Sequence, residues 1–202
     1  LGSLEPRTIT PEFCRRAAAL TNLCPHFHLS MQSGCDTVLA RMNRKYDSAR
    51  YYESVKLLNE AYETPGITTD LIVGFPGETE EEFQQTLVFI RRCAFSAMHI
   101  FPYSRRPGTP ADSMTGQILN SVKEERAHRA QQAALEMEAA YLDRWVGRTV
   151  PVLFEEERDG LWRGHTTRYS EVAVPAEANL HNQLREVRVT GRNGNVLRGE
   201  LL

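Results

Sequence analysis

Residues 68–79, Thr-Thr-Asp-Leu-Ile-Val-Gly-Phe-Pro-Gly-Glu-Thr, predict a strand that ends in a tight loop. Leu71 to Val73 form an apolar run without alternation, which is typical of a strand buried on both faces. Gly74 and Gly77 allow backbone angles that a Cβ would forbid, and they let another molecule come close. Such loops hold cofactors at the carboxyl ends of strands in α/β proteins, but an ordinary turn between a strand and a helix has the same pattern.

The pattern after this loop predicts an acidic helix. Thr79 with Glu82 three residues later forms a capping-box pattern, and apolar residues then recur at helical spacing. Strand, loop and helix patterns repeat about four times in roughly the first 110 residues, which predicts part of a parallel β/α barrel. A long helix from about Leu119 to Val146 is expected to pack on this barrel and to bridge to a second domain.

The character of the sequence changes at Gly147. Turn residues such as Asn193-Gly194 separate short apolar segments, and Asn-Gly between strand patterns is a strong hairpin signal. Five short strands predict a small all-β, OB-like barrel. We therefore expect two domains, residues 1–146 and 147–202. The five strands are predicted over Thr149–Glu155, Leu161–His165, Glu171–Val174, Glu186–Thr190 and Val196–Leu201.

Composition excludes several classes of protein. The 202 residues are 41% hydrophobic and 25% charged with a net charge of −2, and no stretch approaches a transmembrane span or a signal peptide. The four cysteines do not have the spacing of a zinc or iron–sulfur site. Without an export signal we interpret them as reduced thiols of a cytoplasmic protein. They are Cys14, Cys24, Cys35 and Cys93.

Polar residues near strand ends are candidate ligand contacts. Gln32 follows a short strand and could contact a ligand or cap the following turn. The basic loop 41–46 could bind a phosphate or a carboxylate, or could be solvated. His26 and His28 are two residues apart on this strand; structural histidines are favoured over a metal pair because no third ligand is apparent.

The predicted β-barrel carries aromatic and basic side chains that are typical of single-stranded nucleic-acid binding. A core position is the alternative for the tryptophan, because large aromatic residues are often buried. The candidate RNA-binding residues are Trp162, Arg163, His165, Arg168 and Tyr169.

Several phrases together resemble a known family. LGSLEP, HFHLSMQSGCD, MNRKY, TTDLIVGFPGETEEEF and HIFPYSRRPGTPA occur in this order. They are similar to the radical S-adenosylmethionine (SAM) tRNA methylthiotransferases, nearest to the branch that modifies N6-threonylcarbamoyladenosine beside the anticodon. VGRTVPVLFEE and GLWRGHTTRYSEVAV resemble the TRAM domain of these enzymes. The resemblance covers the whole chain but only the C-terminal part of the family's architecture.

The resemblance implies a SAM pocket. Gln32 and Ser33 match a position near the ribose or methionine group, and Arg44 is a candidate for the methionine carboxylate. The segment near the adenine comprises Asp70, Gly74, Phe75, Pro76, Gly77 and Glu78. The strand end whose backbone meets the adenine edge comprises Phe101, Tyr103 and Ser104.

The resemblance also implies chemistry that lies partly outside this chain. Family members cleave SAM at a [4Fe–4S] cluster held by a CxxxCxxC motif, abstract hydrogen from adenine C2, and take sulfur from a second cluster. This chain has neither cysteine set, so we expect the fragment alone to bind no cluster and to be inactive. The implied partner is the anticodon stem-loop of a tRNA.

Two alternatives and one expectation follow. The chain could be a stand-alone RNA-binding protein whose α/β part is a scaffold, or another α/β enzyme that binds a nucleotide at the Gly74–Glu78 loop. Leu1 to Leu4 are predicted to end a strand that lacks neighbours on one side, so we expect self-association or disorder along that edge.

Overall fold

A computed structural model describes all 202 residues as two β-sheets with helices packed on the first sheet. After a 3₁₀ turn at Pro6–Thr8, the helices are α1 (Pro11–Ala18), α2 (Asp36–Arg41), α3 (Ser48–Ala61), α4 (Glu80–Cys93), α5 (Pro110–Ser113) and α6 (Asn120–Asp143). The strands are β1 (His26–His28), β2 (Gly66–Val73), β3 (Ala97–Pro102), β4 (Thr149–Arg158), β5 (Leu161–Thr166), β6 (Glu171–Val174), β7 (Leu184–Asn193) and β8 (Val196–Leu201).

The first sheet is parallel with the order β1-β2-β3, in agreement with the predicted piece of a β/α barrel. Burial alternates along β2, where Leu71 is fully buried and Ile72 is half-buried. The expectation of burial on both faces is therefore wrong, because α3, α4 and α6 cover only one face of the sheet. The same reason leaves Phe101 of β3 51% exposed.

The first four residues do not form the expected strand. Only Leu4 pairs with the sheet, in an isolated parallel bridge to Leu29, because Ser3 has a positive φ of 55° that interrupts the extended backbone. The stretch is nevertheless bonded to β1, since the His28 N–H donates to the Leu1 carbonyl at 2.8 Å.

The helix starts follow the capping signals closely. Thr10 accepts a hydrogen bond from the Phe13 N–H, and Asp47 accepts one from the Arg50 N–H. Thr79 forms the predicted capping box at the start of α4. Asp36 is the first residue of α2, and its carboxylate accepts from the Ser48 N–H.

The second sheet is a closed five-stranded barrel with the order β4-β5-β6-β8-β7, which confirms the five predicted strands. Asp159 and Gly160 both have positive φ, so the β4–β5 turn has the geometry that matches strand twist. The barrel has its own core, built around Phe154, Val172 and Val187.

Helix α6 contributes to both hydrophobic cores. Ala130 and Met137 pack in the core of the first sheet, whereas Tyr141 and Leu142 pack in the core of the barrel. The buried residues of α6 therefore connect the two cores. None of the helices is both long enough and apolar enough to cross a membrane.

Candidate functional site

A cavity of about 690 Å³ lies at the carboxyl ends of the parallel strands. This volume is within the range of small-molecule sites, roughly 300–1,000 Å³. Six of the twelve predicted cofactor-binding residues line it. The lining residues are Gln32, Met42, Arg44, Asp70, Ile72, Phe101, Pro102, Tyr103, Ser104, Arg106, Thr109 and Ala111.

Gln32 is held at the cavity by a strained backbone. Its φ is +69°, a conformation that is uncommon for residues other than glycine. Its N–H donates to the Asp70 carbonyl, and its own carbonyl accepts from the Ile72 N–H, each at 2.9 Å. Because the side-chain amide has no protein partner, it can donate to and accept from a ligand.

Arg44 places a positive charge in the cavity without a carboxylate partner. It takes part in no ion pair with the protein, and its Nε is buried without a hydrogen-bond acceptor. An unsatisfied buried donor is costly, so the arrangement favours an anionic ligand group. Arg106 adds a second guanidinium to the rim.

Aromatic rings form the apolar part of the cavity. Tyr103 packs edge-to-face on buried Phe75, with ring centroids 5.3 Å apart, and its hydroxyl is buried without a partner. Phe101 offers an exposed ring face beside Ile72. The backbone groups of Tyr103 are bonded within the protein and are not free for a ligand: its N–H donates to the Val73 carbonyl, and its carbonyl accepts from Lys123 Nζ.

The Gly74–Glu78 loop is packed by the chain itself and does not line the cavity. A Cβ on Gly74 would lie 2.4 Å from Lys123 Cγ, and the Gly77 N–H donates to the Gly116 carbonyl at 2.8 Å. The close approach that the two glycines were expected to offer another molecule is thus made by the protein. Pro76 is buried in this loop.

Glu78 and Ser33 do not line the cavity and instead stabilise turns of the chain. Burial raises the pKa of Glu78, although hydrogen bonds from Gly74 and Arg126 oppose the shift. Its Oε1 accepts from the Gly74 N–H at 3.1 Å and from Arg126 at 2.9 Å. The Ser33 hydroxyl accepts from the Cys35 N–H at 3.2 Å, so it faces the turn.

The amino terminus of α4 is unsuited to a phosphate. Glu80, Glu81 and Glu82 form its first turn, and the capping box already uses the end amides. Burial opposes ionisation of Glu82, but hydrogen bonds from Arg41, Thr37 and Thr79 outweigh it and lower its pKa to about 2. This geometry disfavours the alternative of a nucleotide bound at the loop.

Comparisons with known proteins agree on a family. Residues 3–90 match the radical SAM superfamily. A tRNA-2-methylthio-N(6)-dimethylallyladenosine synthase of Oleidesulfovibrio alaskensis is 39% identical over 96% of this chain and 47% of that protein. The threonylcarbamoyladenosine tRNA methylthiotransferase MtaB of Thermotoga maritima is 38% identical over 94% of this chain and 43% of that protein.

The chain is a relative of the radical SAM tRNA methylthiotransferases. The resemblance inferred from the sequence is confirmed at this level. The chain spans about half the length of the curated relatives it matches.

A solved structure supports the fold. Coproporphyrinogen III oxidase (HemN) from Escherichia coli, described as a radical SAM enzyme, aligns with a TM-score of 0.55 and 15% identity over 98% of this chain and 50% of that one. At this identity the match shows the fold alone.

The radical SAM family implies SAM, and the donor set of the cavity fits that cofactor. The unsatisfied Arg44 Nε and Tyr103 hydroxyl offer donors, and Phe101 offers an apolar surface for a flat ring. An iron–sulfur cluster does not fit the residues of this chain. Cys14, Cys35 and Cys93 are buried, Cys24 is exposed, and no cysteine joins a group of three close ligand atoms.

The five predicted RNA-binding residues of this methylthiotransferase relative have different surroundings. Trp162 is 7% exposed and packs in the barrel core, whereas Arg163 pairs with Glu171 at 2.7 Å. The Tyr169 ring stacks on His165, with centroids 4.5 Å apart. Arg168 donates to the carbonyls of residues 63 and 64 and lies over the Trp145 ring, so it joins the two sheets.

Sequence reasoning missed several cavity residues. Met42 lies in the basic loop 41–46 and Arg106 in the loop after β3, and loop positions carry no periodic signal of side-chain direction. Ile72 could have been found from strand alternation if the exposed face of β2 had been anticipated. His99 is a third polar residue beside His28 and Asp70; it was overlooked because its strand is far from theirs in sequence, although β3 is adjacent to β2 in the sheet.

Proposed function

We propose that the cavity binds SAM with Arg44 at the methionine carboxylate. The observation that carries the proposal is the state of Arg44: its guanidinium lines the cavity without forming an ion pair, and its Nε has no hydrogen-bond acceptor. Gln32 would contact the ribose or the methionine amine, and Phe101 with Ile72 would form the wall against the adenine. Ser104 lies exposed at the rim, where it can meet the adenine edge.

We further propose that the complete protein is a transferase that adds a methylthio group to C2 of N6-threonylcarbamoyladenosine beside the tRNA anticodon. The relatives named for this substrate and those named for dimethylallyladenosine both support tRNA modification. SAM bound at a [4Fe–4S] cluster supplies the radical and methyl chemistry in such enzymes. Because this chain offers no cluster ligands, we expect it to position SAM and RNA but to be inactive by itself.

The β-barrel is our candidate for the RNA-binding part. We propose that it is a TRAM domain of OB-like form, that the division lies between residues 146 and 147, and that it binds an anticodon stem-loop in the cytoplasm. His165 and exposed Tyr169 supply rings beside Arg163 and Arg168. Trp162 is left out of this surface because it is buried.

The test compares two ligands that differ in the methionine part. S-adenosylhomocysteine carries the carboxylate, whereas methylthioadenosine keeps only the adenosyl and thioether groups. Calorimetry of the 202-residue chain should show that Arg44→Ala weakens S-adenosylhomocysteine binding at least tenfold and changes methylthioadenosine binding by less than twofold. Arg15→Ala, which alters an exposed arginine paired with Glu12, is the matched control.

The outcomes separate the possibilities. Equal losses for both ligands would show that Arg44 shapes the cavity without contacting the carboxylate. Absence of any binding by the wild-type chain, in the presence of normal folding, would contradict the SAM proposal and favour a stand-alone RNA-binding protein on an α/β scaffold.

A further inference from the structure

Three ligand-forming side chains converge on the uncovered face of the parallel sheet. His28, Asp70 and His99 each place one nitrogen or oxygen atom within 4.8 Å of the other two. His28 Nε2 lies 3.2 Å from Asp70 Oδ2, and the His28 and His99 ring centroids are 6.1 Å apart. No other group of three such side chains exists in the chain.

Strand register explains the convergence. Asp70 and His99 are directly paired on β2 and β3, and His28 is paired with Thr68 two positions before Asp70. Side chains two residues apart on a strand share a face, so all three point to the side that the helices leave uncovered. The site is therefore built on rigid strands, which hold metal ligands more accurately than loops do.

The surroundings of His28 suit a ligand bonded through Nε2. Its other ring nitrogen, Nδ1, lies 3.1 Å from the Thr68 hydroxyl, which is also 3.4 Å from His26 Nε2. A hydroxyl has one proton, so Thr68 can donate to His26 while it accepts from His28 Nδ1–H. In that tautomer Nε2 carries no proton, and its lone pair faces the Asp70 carboxylate. The lone pair and the carboxylate repel each other, and a cation bound between them removes this repulsion.

We propose that His28, Asp70 and His99 form a binding site for a divalent transition-metal ion of the Zn²⁺ type. Two imidazoles and one carboxylate are a common ligand set for such ions. In a tetrahedral site the ligand atoms are about 3.4 Å apart, which the His28–Asp70 pair nearly matches. His99 is exposed and has no hydrogen-bond partner, so its ring can rotate about 1–1.5 Å closer.

Three protein ligands leave at least one position open on the uncovered face. A metal there would carry water or an exchangeable ligand, unlike a closed structural site with four protein ligands. The face borders the cavity, because Asp70 also lines it, but the proposal does not depend on SAM binding. Neutral imidazole is required, so protons compete with the metal ion for these ligands.

The test measures metal alone. Tag-free chain treated with a chelator and dialysed is titrated with Zn²⁺ by calorimetry, and with Co²⁺ by its visible absorption. We expect one ion per chain and at least a tenfold loss of affinity in His28→Ala and in His99→Ala. His165→Ala is the matched control, because it removes a histidine that lies 2.7 Å from the Glu155 carboxylate without a third ligand.

Each result is decisive. Because His99 is exposed, His99→Ala should keep its fold, as circular dichroism will show, even if His28→Ala does not. Binding that survives in folded His99→Ala, binding that His165→Ala reduces as strongly, or absence of stoichiometric Zn²⁺ and Co²⁺ binding would overturn the proposal. SAM binding can fail while metal binding is found, so the two proposals are tested separately.

Discussion

At the scale of single residues, the two glycines of the loop after β2 have nearly the same φ but different neighbours. Gly74 has φ of +71° and Gly77 has φ of +74°. A Cβ at Gly74 would collide with Lys123 Cγ at 2.4 Å, whereas the nearest atom at Gly77 is 3.9 Å away. An alanine would therefore strain the backbone at both positions, but it would collide with a neighbouring side chain only at position 74.

We predict that Gly74→Ala lowers the free energy of unfolding by about 1–3 kcal/mol more than Gly77→Ala does. Lys123 cannot easily move, because it is buried and its Nζ donates to the Tyr103 carbonyl at 3.0 Å. Urea denaturation of both variants measures the difference. Equal destabilisation would show that only the positive φ matters at these positions.

The residues of the cavity were predictable where a polar side chain follows a strand. Gln32 is predicted on that basis, Arg44 from the basic loop 41–46 and the family resemblance, and both line the cavity. Glu78 was assigned to the cofactor from the resemblance, yet its contacts are to Gly74 and Arg126. Such partners cannot be deduced from spacing, because Arg126 lies on a helix 48 residues away.

At the scale of elements, the Glu82 side chain connects α4 to α2 by hydrogen bonds. Its carboxylate accepts from Arg41 and Thr37 as well as from the Thr79 N–H. The pKa of this group is lowered from 4.5 to about 2. Stability from these bonds is therefore complete above about pH 4.5 and is lost as the pH falls towards 2.

We predict that Glu82→Gln lowers the free energy of unfolding by on the order of 2–3 kcal/mol at pH 7. The difference in unfolding free energy between wild type and variant should become smaller as the pH falls towards 2. Glutamine can keep the capping box, so the loss reports the charge. Glu81→Gln, an exposed residue of the same helical turn, is the control. A pH-independent difference between wild type and Glu82→Gln would contradict the assigned pKa.

The sequence predicted the helix and strand order well because local signals are strong in this chain. Caps at Thr10, Asp47 and Thr79 are decided by residues within three positions. Burial was predicted less well. Ile72 and Phe101 belong to apolar runs, yet they face a side of the sheet that no helix covers, and tertiary coverage is not encoded in the run itself.

At the scale of the whole molecule, Arg168 joins the sheet and the barrel. Its guanidinium donates to the Thr64 and Glu63 carbonyls at 3.0 and 3.1 Å and lies 4.6 Å from the Trp145 ring centroid. Gly66 permits this approach, because a Cβ there would lie 2.5 Å from the Arg168 carbonyl oxygen.

We predict that Arg168→Ala lowers the unfolding free energy by about 1–3 kcal/mol and separates the melting of the two units. Differential scanning calorimetry measures both effects. Arg185→Ala, which removes an exposed arginine bonded only within the barrel to Gln183, should change neither. A single unshifted transition in Arg168→Ala would show that the helix α6 contacts alone hold the units together.

The edge of the parallel sheet supports our remaining proposal, self-association. The backbone groups of Leu1 and Leu4 are bonded to the residues 26–30 stretch, so those of Gly2 and Ser3 remain available for another chain. Sedimentation velocity over a range of concentrations should show an increase in mean mass. A constant monomer mass would refute the proposal.

The central claim is that the cavity at the strand ends holds an adenosyl ligand. Hydrogen exchange of the chain with and without S-adenosylhomocysteine tests it most directly, because it locates the ligand without substitutions. We predict protection in the segments that contain Gln32 to Arg44 and Phe101 to Arg106, and none in the barrel strands. Protection confined to the β-barrel, or to the Gly74–Glu78 loop alone, would contradict the account.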